Sequence, residues 1–341
     1  GGGDARSRST DERRTSADHT PHGDVLRMRR MLKRSLLITQ ESSRIRSPNF
    51  RAGDDELSAN VALHSLPTSM LRRNRQRPPR NFRIVPKDGQ SLKFVCVSDT
   101  HSKHHQLFPS PPDGDVLIHA GDFTYTCEMD EIRSFARWLA ALPHTLKIVI
   151  AGNHDVCFEP DFYADNWQRW HDEPQNCDDV RALLLENCVY VEDESVYVNG
   201  VHIYGSPYQP WFFDWAFNIR SDAALEAKWE QIPSHVDILV THGPPYGHGD
   251  KIVQPRSKKV LMTGCKFLAA RVKQVQPRYH VFGHVHEGYG KSSDEHTTYI
   301  NASTCNDKYA PRNRPITFMM TPPAPPRGDD AGSGGGGGAS G

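Results

Sequence analysis

Five apolar segments of this chain end in side chains that bind metal ions or carry protons. They span residues 94–101, 117–122, 148–155, 238–243 and 279–286. Ligands of open α/β sheets gather beyond the carboxyl ends of strands, so five such ends indicate one common site. The candidate ligands are two aspartates, one amide and four imidazoles: Asp99, Asp122, Asn153, His101, His242, His284 and His286.

The number and spacing of these ligands predict a dinuclear centre. Asp99 and His101 are two residues apart, as are His284 and His286, and residues i and i+2 of an extended chain face the same side, so each pair can chelate. The ligands are too many for one tetrahedral ion and suit two divalent ions that share a carboxylate, for which Asp122 is the candidate. Nitrogen and oxygen ligands without thiolate favour Mn, Fe or Zn, of which we expect Mn. Two ions about 3.5 to 4 Å apart suit phosphoryl transfer, because they clamp the attacking and leaving oxygens.

Composition divides the chain into three regions. Hydrophobic residues make up 37% of the 341 residues, below the roughly 45 to 50% of an average globular chain, which indicates that part of the chain is not packed. Residues 1–90 carry 19 Lys and Arg against 10 Asp and Glu and are predicted to be a basic, largely disordered arm. Residues 91–321 are predicted to form the catalytic domain, and the Pro/Gly-rich residues 322–341 a flexible tail.

The charge of these regions bears on possible partners. Because the total net charge is zero, the arm carries +9 and the remainder −9. Carboxylates in the catalytic domain fit a cation site, although surface solvation accounts for them equally well. An acidic domain offers no basic track for a phosphate backbone, which argues against nucleic acid as a substrate, but the basic arm leaves nucleic acid open as a partner. A protein partner for the arm is unknown.

Targeting and redox signals are sparse. No apolar run approaches the ~20 residues of a transmembrane helix. The seven cysteines are odd in number and include no CxxC motif, which argues against a disulfide framework and a zinc knuckle. We therefore expect a reducing compartment, the cytoplasm, although a chain that begins with Gly1 rather than methionine can lack a targeting signal.

Strand-like and helix-like segments alternate, which predicts an α/β fold of two face-to-face sheets with helices outside. Short apolar runs predict strands over residues 94–98, 116–120, 147–151, 236–240, 279–282, 297–301 and 316–319. Helical spacing predicts helices over residues 131–142, 178–187, 222–231 and 264–275. Residues 189–191, 195–198 and 201–204 are predicted to form a meander, in which Asn199 and Gly200 make a two-residue turn.

Five motifs in this order resemble the calcineurin-like metallophosphoesterases. They are Asp99-Thr100-His101, Gly121-Asp122, Gly152-Asn153-His154-Asp155, His242-Gly243 and Gly283-His284-Val285-His286. The resemblance covers roughly residues 91–320, and one motif alone would be weak evidence. Residues 205–211 and 288–290 resemble the branch of metallophosphoesterase-domain-containing proteins that has vertebrate brain members.

The resemblance implies a four-layer α/β/β/α sandwich with a dimetal centre at the strand ends. In that family pattern the first metal is held by Asp99, His101, Asp122 and His286. The second is held by Asp122, Asn153, His242 and His284. A metal-held hydroxide attacks phosphorus in line, and His154 stabilises or protonates the leaving oxygen. Asp155 is expected to orient the His154 imidazole.

Substrate-binding residues are predicted beside these motifs. Asn153 and His154 belong to both the site and its substrate contacts. Aromatic residues cluster between positions 208 and 217, where core packing explains most of them, but Tyr208 and Trp211 are candidates to stack on a nucleotide base. His248 closely follows a ligand segment and is predicted to line the pocket. His119 and His280 lie inside strand-like runs, where burial is the simplest explanation.

Three functions fit these residues. The preferred one is a phosphodiesterase that hydrolyses small phosphodiesters such as cyclic nucleotides. A phosphoprotein phosphatase is the alternative within the enzyme class, because the same dimetal chemistry serves both. A nucleotide-binding or interaction protein with feeble catalysis is the third. Every ligand that the motifs require is present, which favours an active enzyme.

Overall fold

The computed structural model describes residues 79–254 and 257–323. The strands are β1 (Arg80–Phe82), β2 (Leu92–Val97), β3 (Val116–Ala120), β4 (Leu146–Ile150), β5 (Val189–Tyr190), β6 (Glu194–Val198), β7 (Val201–Ser206), β8 (Gln209–Pro210), β9 (Asn218–Ile219), β10 (Ile238–Thr241), β11 (Lys251–Val253), β12 (Val260–Met262), β13 (Tyr279–Phe282), β14 (Gly290–Ser293), β15 (Thr298–Asn301) and β16 (Ile316–Met320). The α-helices are α1 (Met129–Ala141), α2 (Pro160–Asn166), α3 (Cys177–Leu185), α4 (Asp222–Glu230) and α5 (Lys266–Val275).

Two large sheets contain most of these strands. One sheet has five strands in the order β16-β2-β3-β4-β5, in which β2 to β5 are parallel. The other has seven strands in the order β1-β6-β7-β10-β13-β15-β14, with β7, β10, β13 and β15 parallel. Parallel strands end at one edge of their sheet, so each sheet gathers the loops that follow its strands at one edge.

Alternating side chains of each sheet face two different cores. Phe94 and Ile118 of the five-stranded sheet meet Ile203 and Val281 of the seven-stranded sheet in a core between the sheets. Side chains that point the other way, such as Val95, pack in a second cluster with residues of the helices. This period of two confirms the predicted arrangement of two sheets with helices outside.

Helix α1 shows how local sequence fixes an element. Its start is closed by a capping box, in which Glu128 and Glu131 bond each other's backbone N–H groups. Ile132, Phe135 and Leu139 are buried on one face of the helix. The residue Leu142 is already extended, because it precedes Pro143.

The structure corrects the predicted meander. β5 pairs with β4 in the five-stranded sheet, whereas β6 and β7 pair in the other sheet, so the chain crosses between sheets where a continuous meander is predicted. The turn at Asn199 and Gly200 is confirmed, with φ angles of 50° and 88°, as a type I′ turn requires.

A strand of the fold lies before the predicted domain boundary at residue 91. β1 pairs in parallel with β6, so residues 80–82 belong to the seven-stranded sheet and not to an arm. The predicted arm up to residue 78 and the tail from residue 324 lie outside the described residues. Within the described part of the chain, no helix is both long and apolar enough to span a bilayer.

Candidate metal centre

The predicted ligands lie in five loops that follow β2, β3, β4, β10 and β13. Backbone hydrogen bonds connect the loops across both sheets. The Asp99 N–H donates to the Gly121 carbonyl at 2.9 Å, and the Gly283 N–H donates to the His242 carbonyl at 2.9 Å. The two sheets are joined where the His284 N–H donates to the Asp99 carboxylate at 3.0 Å. These bonds join the loops after β2, β3, β10 and β13 into one unit.

Four of the ligand residues have left-handed backbone conformations. The φ angles are 52° at Asp99, 40° at His101, 56° at Asp122 and 66° at His284. Residues other than glycine rarely adopt such angles, and they concentrate at functional sites. The expectation that the paired ligands sit on extended chain is therefore wrong, because each pair lies in a tight loop after its strand.

The ligand atoms form two groups that share no residue. Asp99, His101 and His286 make the first, and Asp122, His242 and His284 make the second. A third group, of His101, Asp122 and His154, overlaps both. His284 and His286 thus do not chelate together as their spacing predicts, but belong to different groups.

Asp122 belongs to the second group and also faces the first. Its Oδ2 is 3.3 Å from His242 Nε2 in the second group and 3.8 Å from His101 Nε2 in the first. Its Oδ1 accepts the backbone N–H of His154 at 2.8 Å. One carboxylate oxygen is therefore fixed by the protein, and the other faces both groups, which is the arrangement expected of a bridging ligand.

Three imidazoles turn the same nitrogen toward the centre. Nδ1 of His242 bonds the Ala120 carbonyl at 2.9 Å, and Nδ1 of His286 bonds the Asn306 carbonyl at 3.0 Å. Nδ1 of His154 likewise bonds the Tyr125 carbonyl, at 2.9 Å. A carbonyl only accepts, so Nδ1 carries the proton in each ring. With Nδ1 committed to a carbonyl, each ring turns Nε2 inward, as metal-binding histidines do.

The inward-facing ligand atoms lie close to one another. His242 Nε2 is 3.0 Å from Asn153 Oδ1, and His286 Nε2 is 3.2 Å from His101 Nε2. With metal–ligand bonds of about 2.1 Å, two ligands of one ion are about 3.0 Å apart at a right angle and about 3.4 Å apart at the tetrahedral angle. The spacing and the donor set therefore fit cations.

The pKa values of the site without metal also show that the carboxylates favour a positive charge beside them. Burial opposes ionisation of His242, but the Asp122 carboxylate overrides it and raises the pKa of His242 to about 9. Burial also opposes ionisation of Asp122, yet His242 and His154 hold the pKa of this carboxyl well below its usual range. A proton on His242 thus supplies a charge that a metal ion would otherwise bring.

Two glycines leave room for these carboxylates. A Cβ on Gly152 would lie 2.3 Å from Asp122 Oδ1, and a Cβ on Gly283 would lie 2.1 Å from Asp99 Oδ2. Any side chain at either position would displace a ligand.

Asp155 does not play the predicted role. Its carboxylate accepts the backbone N–H groups of Asp122, Thr124 and Gly152 at 2.8 to 3.0 Å, and also the Thr124 hydroxyl at 2.7 Å. The His154 ring is instead oriented by the Tyr125 carbonyl and stacks on Trp215, with ring centroids 4.2 Å apart. Asp155 therefore fixes the loop that carries Asp122 rather than the His154 imidazole.

A cavity of about 520 Å³ opens above the ligands. Asp122, Asn153, His154 and Trp211 line it, in agreement with their predicted positions. Trp211 is 44% exposed, which leaves its ring available to a ligand.

The structure contradicts the prediction that Tyr208 and His248 bind substrate. Tyr208 is buried and packs edge-on against Phe217. The His248 ring stacks on Tyr299 at 3.7 Å between centroids, and its Nδ1 contacts Ser292 Oγ. Neither residue is among the described residues that line the cavity. Proximity in sequence to a ligand or to an aromatic run did not determine where these side chains point.

Sequence reasoning missed other residues of the cavity wall. The Tyr309 ring lies 4.9 Å from the rings of both His101 and His286, and Phe212 lies edge-on to His284 at 4.8 Å. Glu287 and Asp307 add two exposed carboxylates to the lining. The aromatic run contains Phe212, but Tyr309 lies in a loop after β15 without any motif.

The comparisons with known proteins agree with this geometry. Residues 92–288 match the calcineurin-like phosphoesterase family model. The chain is 47% identical over 248 residues to metallophosphoesterase domain-containing protein 1 of Homo sapiens and of Mus musculus, covering 70% of this chain and 74% of each relative. It is 42% identical over 237 residues to UPF0046 protein C25E10.12 of Caenorhabditis elegans, covering 69% of this chain and 83% of that relative.

A solved structure of lower similarity is the phosphopantetheinyl hydrolase of Mycobacterium tuberculosis. It aligns with a TM-score of 0.44 and 19% identity over 70% of this chain and 98% of that chain. The family match and the curated relatives carry the assignment: the chain belongs to the calcineurin-like phosphoesterase family and is a metallophosphoesterase. The family is dimetal-dependent, in agreement with the two ligand groups.

Proposed function

We propose that this protein is a dinuclear phosphodiesterase that hydrolyses small phosphodiesters, with cyclic nucleotides as the preferred class. The observation that carries the proposal is the Asp122 carboxylate oxygen that faces both ligand groups at the floor of a cavity of about 520 Å³. A cavity of this size suits a nucleotide-sized molecule.

The proposed ligand sets follow the two groups. The first ion is held by Asp99, His101, Asp122 and His286. The second is held by Asp122, Asn153, His242 and His284. Nitrogen and oxygen ligands without sulfur favour Mn, Fe or Zn, and Mn is preferred among them. When bound, such ions supply a hydroxide nucleophile and neutralise developing charge on the phosphoryl group.

His154 is proposed to act on the leaving oxygen. Its Nδ1–H is committed to the Tyr125 carbonyl, so only Nε2 is available to exchange a proton with substrate. Its ring is held from one side by Trp215, and the residue lines the cavity. These contacts fix Nε2 where, once it carries a proton, it can donate that proton to the leaving oxygen.

The cavity wall supports a small, partly aromatic substrate. Trp211 and Phe212 offer ring faces or edges on which a base can stack. The exposed carboxylates of Glu287 and Asp307 repel an extended polyanion. A singly charged cyclic diester meets less repulsion than a nucleic-acid strand or a phosphorylated acidic peptide, which is the reason for preferring it over the phosphatase alternative.

The deciding experiment compares substrates with the metal-free protein reloaded with Mn, Zn or Fe(II). The panel contains cyclic nucleotides, bis(p-nitrophenyl) phosphate, p-nitrophenyl phosphate and phosphopeptides. We expect kcat/KM to be highest for the cyclic nucleotides, with Mn as the best metal. Preference for phosphopeptides would establish the phosphatase alternative. Nucleotide binding without turnover under any metal would favour the binding-protein alternative.

A further inference from the structure

Two amide side chains at the candidate metal centre each leave one atom without a hydrogen-bond partner. Asn153 turns Oδ1 toward His242, 3.0 Å from its Nε2, and its Nδ2 has no partner among the described residues. Gln209 turns Nε2 toward Asn218, and within the described part of the chain its Oε1 is likewise unpartnered. Both residues line the cavity, and they are 0% and 1% exposed. A buried polar atom without a partner costs free energy, so each amide is a candidate to bind a group that enters the cavity.

The orientation of the Gln209 amide is determined by the backbone of Phe212. The Phe212 N–H donates to Asn218 Oδ1 at 3.2 Å, and Asn218 Nδ2 donates to the Phe212 carbonyl at 3.0 Å. These two bonds fix which atom of the Asn218 amide is the oxygen. Because that oxygen only accepts, the Gln209 atom 3.3 Å from it is the donor Nε2. The other end of the Gln209 amide, Oε1, is therefore a free acceptor.

This acceptor is held beside the second ligand group. Gln209 is paired with Asn218 of β9, and its N–H donates to the Phe217 carbonyl at 3.0 Å. Since Nε2 faces Asn218, Oε1 turns away from that residue and toward Gly243, where a Cβ would lie 3.7 Å from it. Gly243 lines the same cavity and follows the ligand His242 in the chain. The missing side chain at Gly243 leaves the space beside Oε1 unfilled.

The partner of Oε1 must be a hydrogen-bond donor close to the reacting phosphorus. Asn153 Nδ2 only donates, so it suits a phosphoryl oxygen at the ligand groups, whereas Gln209 Oε1 only accepts. In a cyclic nucleotide the 2′-hydroxyl is on the carbon next to the one whose 3′-oxygen is bonded to phosphorus. The amino groups of the base are several bonds further away, and Trp211 and Phe212 offer rings for the base. The chemistry therefore favours a ribose hydroxyl as the donor.

We propose that Gln209 determines specificity by accepting a hydrogen bond from the ribose 2′-hydroxyl of the substrate. The site then takes ribonucleotides in preference to deoxyribonucleotides, because the 2′-hydroxyl is the group that distinguishes them. The choice of a nucleotide rests on the proposed function. A 2′-deoxy analogue fills the cavity but leaves Oε1 buried without a donor. We expect discrimination of roughly tenfold or more, the usual loss when a buried acceptor stays unpaired.

Binding of three nucleotides to the Mn-loaded full chain tests the contact without requiring turnover. The nucleotides are AMP, 2′-deoxy-AMP and 2′-deoxy-2′-fluoro-AMP, of which only AMP carries a hydroxyl donor at the 2′ position. We expect calorimetry to give a Kd for AMP that is roughly tenfold or more below that of either analogue. The fluoro analogue keeps an electronegative atom at this position, so it separates hydrogen-bond donation from other effects of the substituent. Equal Kd values for AMP and either analogue, or no binding of any nucleotide, would overturn the inference.

Two variants assign the discrimination to Gln209. Gln209→Met keeps a side chain of similar length without the acceptor and should bind AMP and 2′-deoxy-AMP equally. The exposed Gln274 of α5 provides the matched control, and Gln274→Met should keep the native ratio of the two Kd values. A general disturbance of the cavity weakens both nucleotides alike and leaves the ratio unchanged, so a native ratio in Gln209→Met would contradict the proposal. The ratios in the native protein do not depend on whether the variant folds.

Turnover of cyclic nucleotides separates this inference from the proposed function. We expect kcat/KM for cyclic AMP to exceed that for 2′-deoxy-cyclic AMP by a similar factor in the native protein, and the difference to disappear in Gln209→Met. If neither is hydrolysed but AMP binds more tightly than its analogues, the proposed function is wrong and the Gln209 contact is supported. If both are hydrolysed with equal kcat/KM, the proposed function stands and the Gln209 contact is wrong.

Discussion

Asp122 divides its carboxylate between two tasks. Oδ1 accepts the His154 backbone N–H, and Oδ2 faces His242 and His101. An asparagine at position 122 has an NH₂ group in place of one of these oxygens. It therefore loses either the bond from the His154 N–H or the ligand oxygen that faces both groups. Three loops depend on this single side chain.

The first prediction concerns that shared oxygen. We expect Asp122→Asn to bind fewer than two metal ions per chain and to lose diester turnover by roughly 10³-fold or more, because the electrostatic stabilisation of the reaction is lost. Metal content by mass spectrometry and steady-state kinetics measure both. Asp307→Asn, an exposed carboxylate on the cavity wall, is the control and should keep its metals. Two bound ions with near-native turnover in Asp122→Asn would refute the bridging role.

The second prediction separates catalysis from ligation at His154. We expect His154→Ala to retain both metals and to lose kcat by about 10² to 10⁴-fold, the usual contribution of a positioned acid or base. The exposed His105 provides a control, and His105→Ala should leave kcat unchanged. Equal loss of metal and rate in His154→Ala would make His154 a ligand.

The third prediction concerns the cavity wall at Trp211. If a base stacks on this ring, Trp211→Ala should raise KM for cyclic nucleotides by about tenfold, since base stacking is worth about 1 to 3 kcal/mol, while kcat changes little. Phe213 is similarly exposed, at 39% against 44% for Trp211, but does not line the cavity. Phe213→Ala is therefore the matched control, and identical KM shifts in both variants would argue against stacking at Trp211.

At the scale of elements, α1 stabilises the loop that carries Asp122. Glu131 Oε1 accepts the Ser102 hydroxyl and the Tyr125 N–H, and its Oε2 accepts the N–H groups of Thr126 and Glu128. Both oxygens are occupied by donors. The residue that caps α1, Glu131, thus also fixes the loop that contains Tyr125. The carbonyl of Tyr125 in turn orients His154.

The fourth prediction follows from this arrangement. Glu131→Gln must place an NH₂ group against N–H donors, so we expect it to lower the free energy of unfolding by about 1 to 3 kcal/mol. Urea denaturation of the metal-free protein measures the change. Arg133→Gln, which removes only an exposed ion pair with Asp130, should change stability by less than about 1 kcal/mol. Equal stability of Glu131→Gln and the native protein would contradict this role of Glu131.

The elements that the sequence predicts well are those with an extended hydrophobic pattern. Buried parallel strands such as β3 are continuous apolar runs, so their ends and the ligands after them were predictable. The short strands β8 and β11 carry no such pattern, and the sequence does not predict them. The sequence predicts β5 as part of a meander because strands that are neighbours in sequence usually pair, but a two-residue strand can belong to either sheet.

The site was predictable in its residue types and less so in its contacts. Histidine and aspartate beside glycine identify the ligands, yet the left-handed backbone at Asp99 and His101 follows from hydrogen bonds between loops distant in sequence. The partners of Asp155 are backbone N–H groups, which no sequence pattern displays. Tyr309 reaches the cavity only because the loop after β15 folds across the first ligand group.

At the scale of the whole molecule, the centre is built from both sheets. The five-stranded sheet supplies Asp99, Asp122 and Asn153, whereas the seven-stranded sheet supplies His242 and the two later histidines. Ions held by these residues would connect the two sheets at one edge. Metal removal should lower stability as well as abolish turnover, because ligand binding to the folded state stabilises that state.

The fifth prediction is that removing the metals reverses the pH dependence of stability on the alkaline side. In the metal-free protein the pKa of His242 rises from an ordinary 6.5 to about 9. Its protonated form therefore stabilises the fold fully below pH 6.5, and this contribution, at most about 3 kcal/mol, is lost as the pH rises through 9. With metals bound, the ring is a neutral ligand, and rising pH removes competing protons from the site. We expect urea midpoints measured from pH 6.5 to 8.5 to fall in chelator and to hold or rise with metal.

A His242→Gln variant, which cannot take up the proton, should lose the fall in chelator. If the urea midpoint changes with pH in the same way with and without metal, protons and metal ions do not compete for His242.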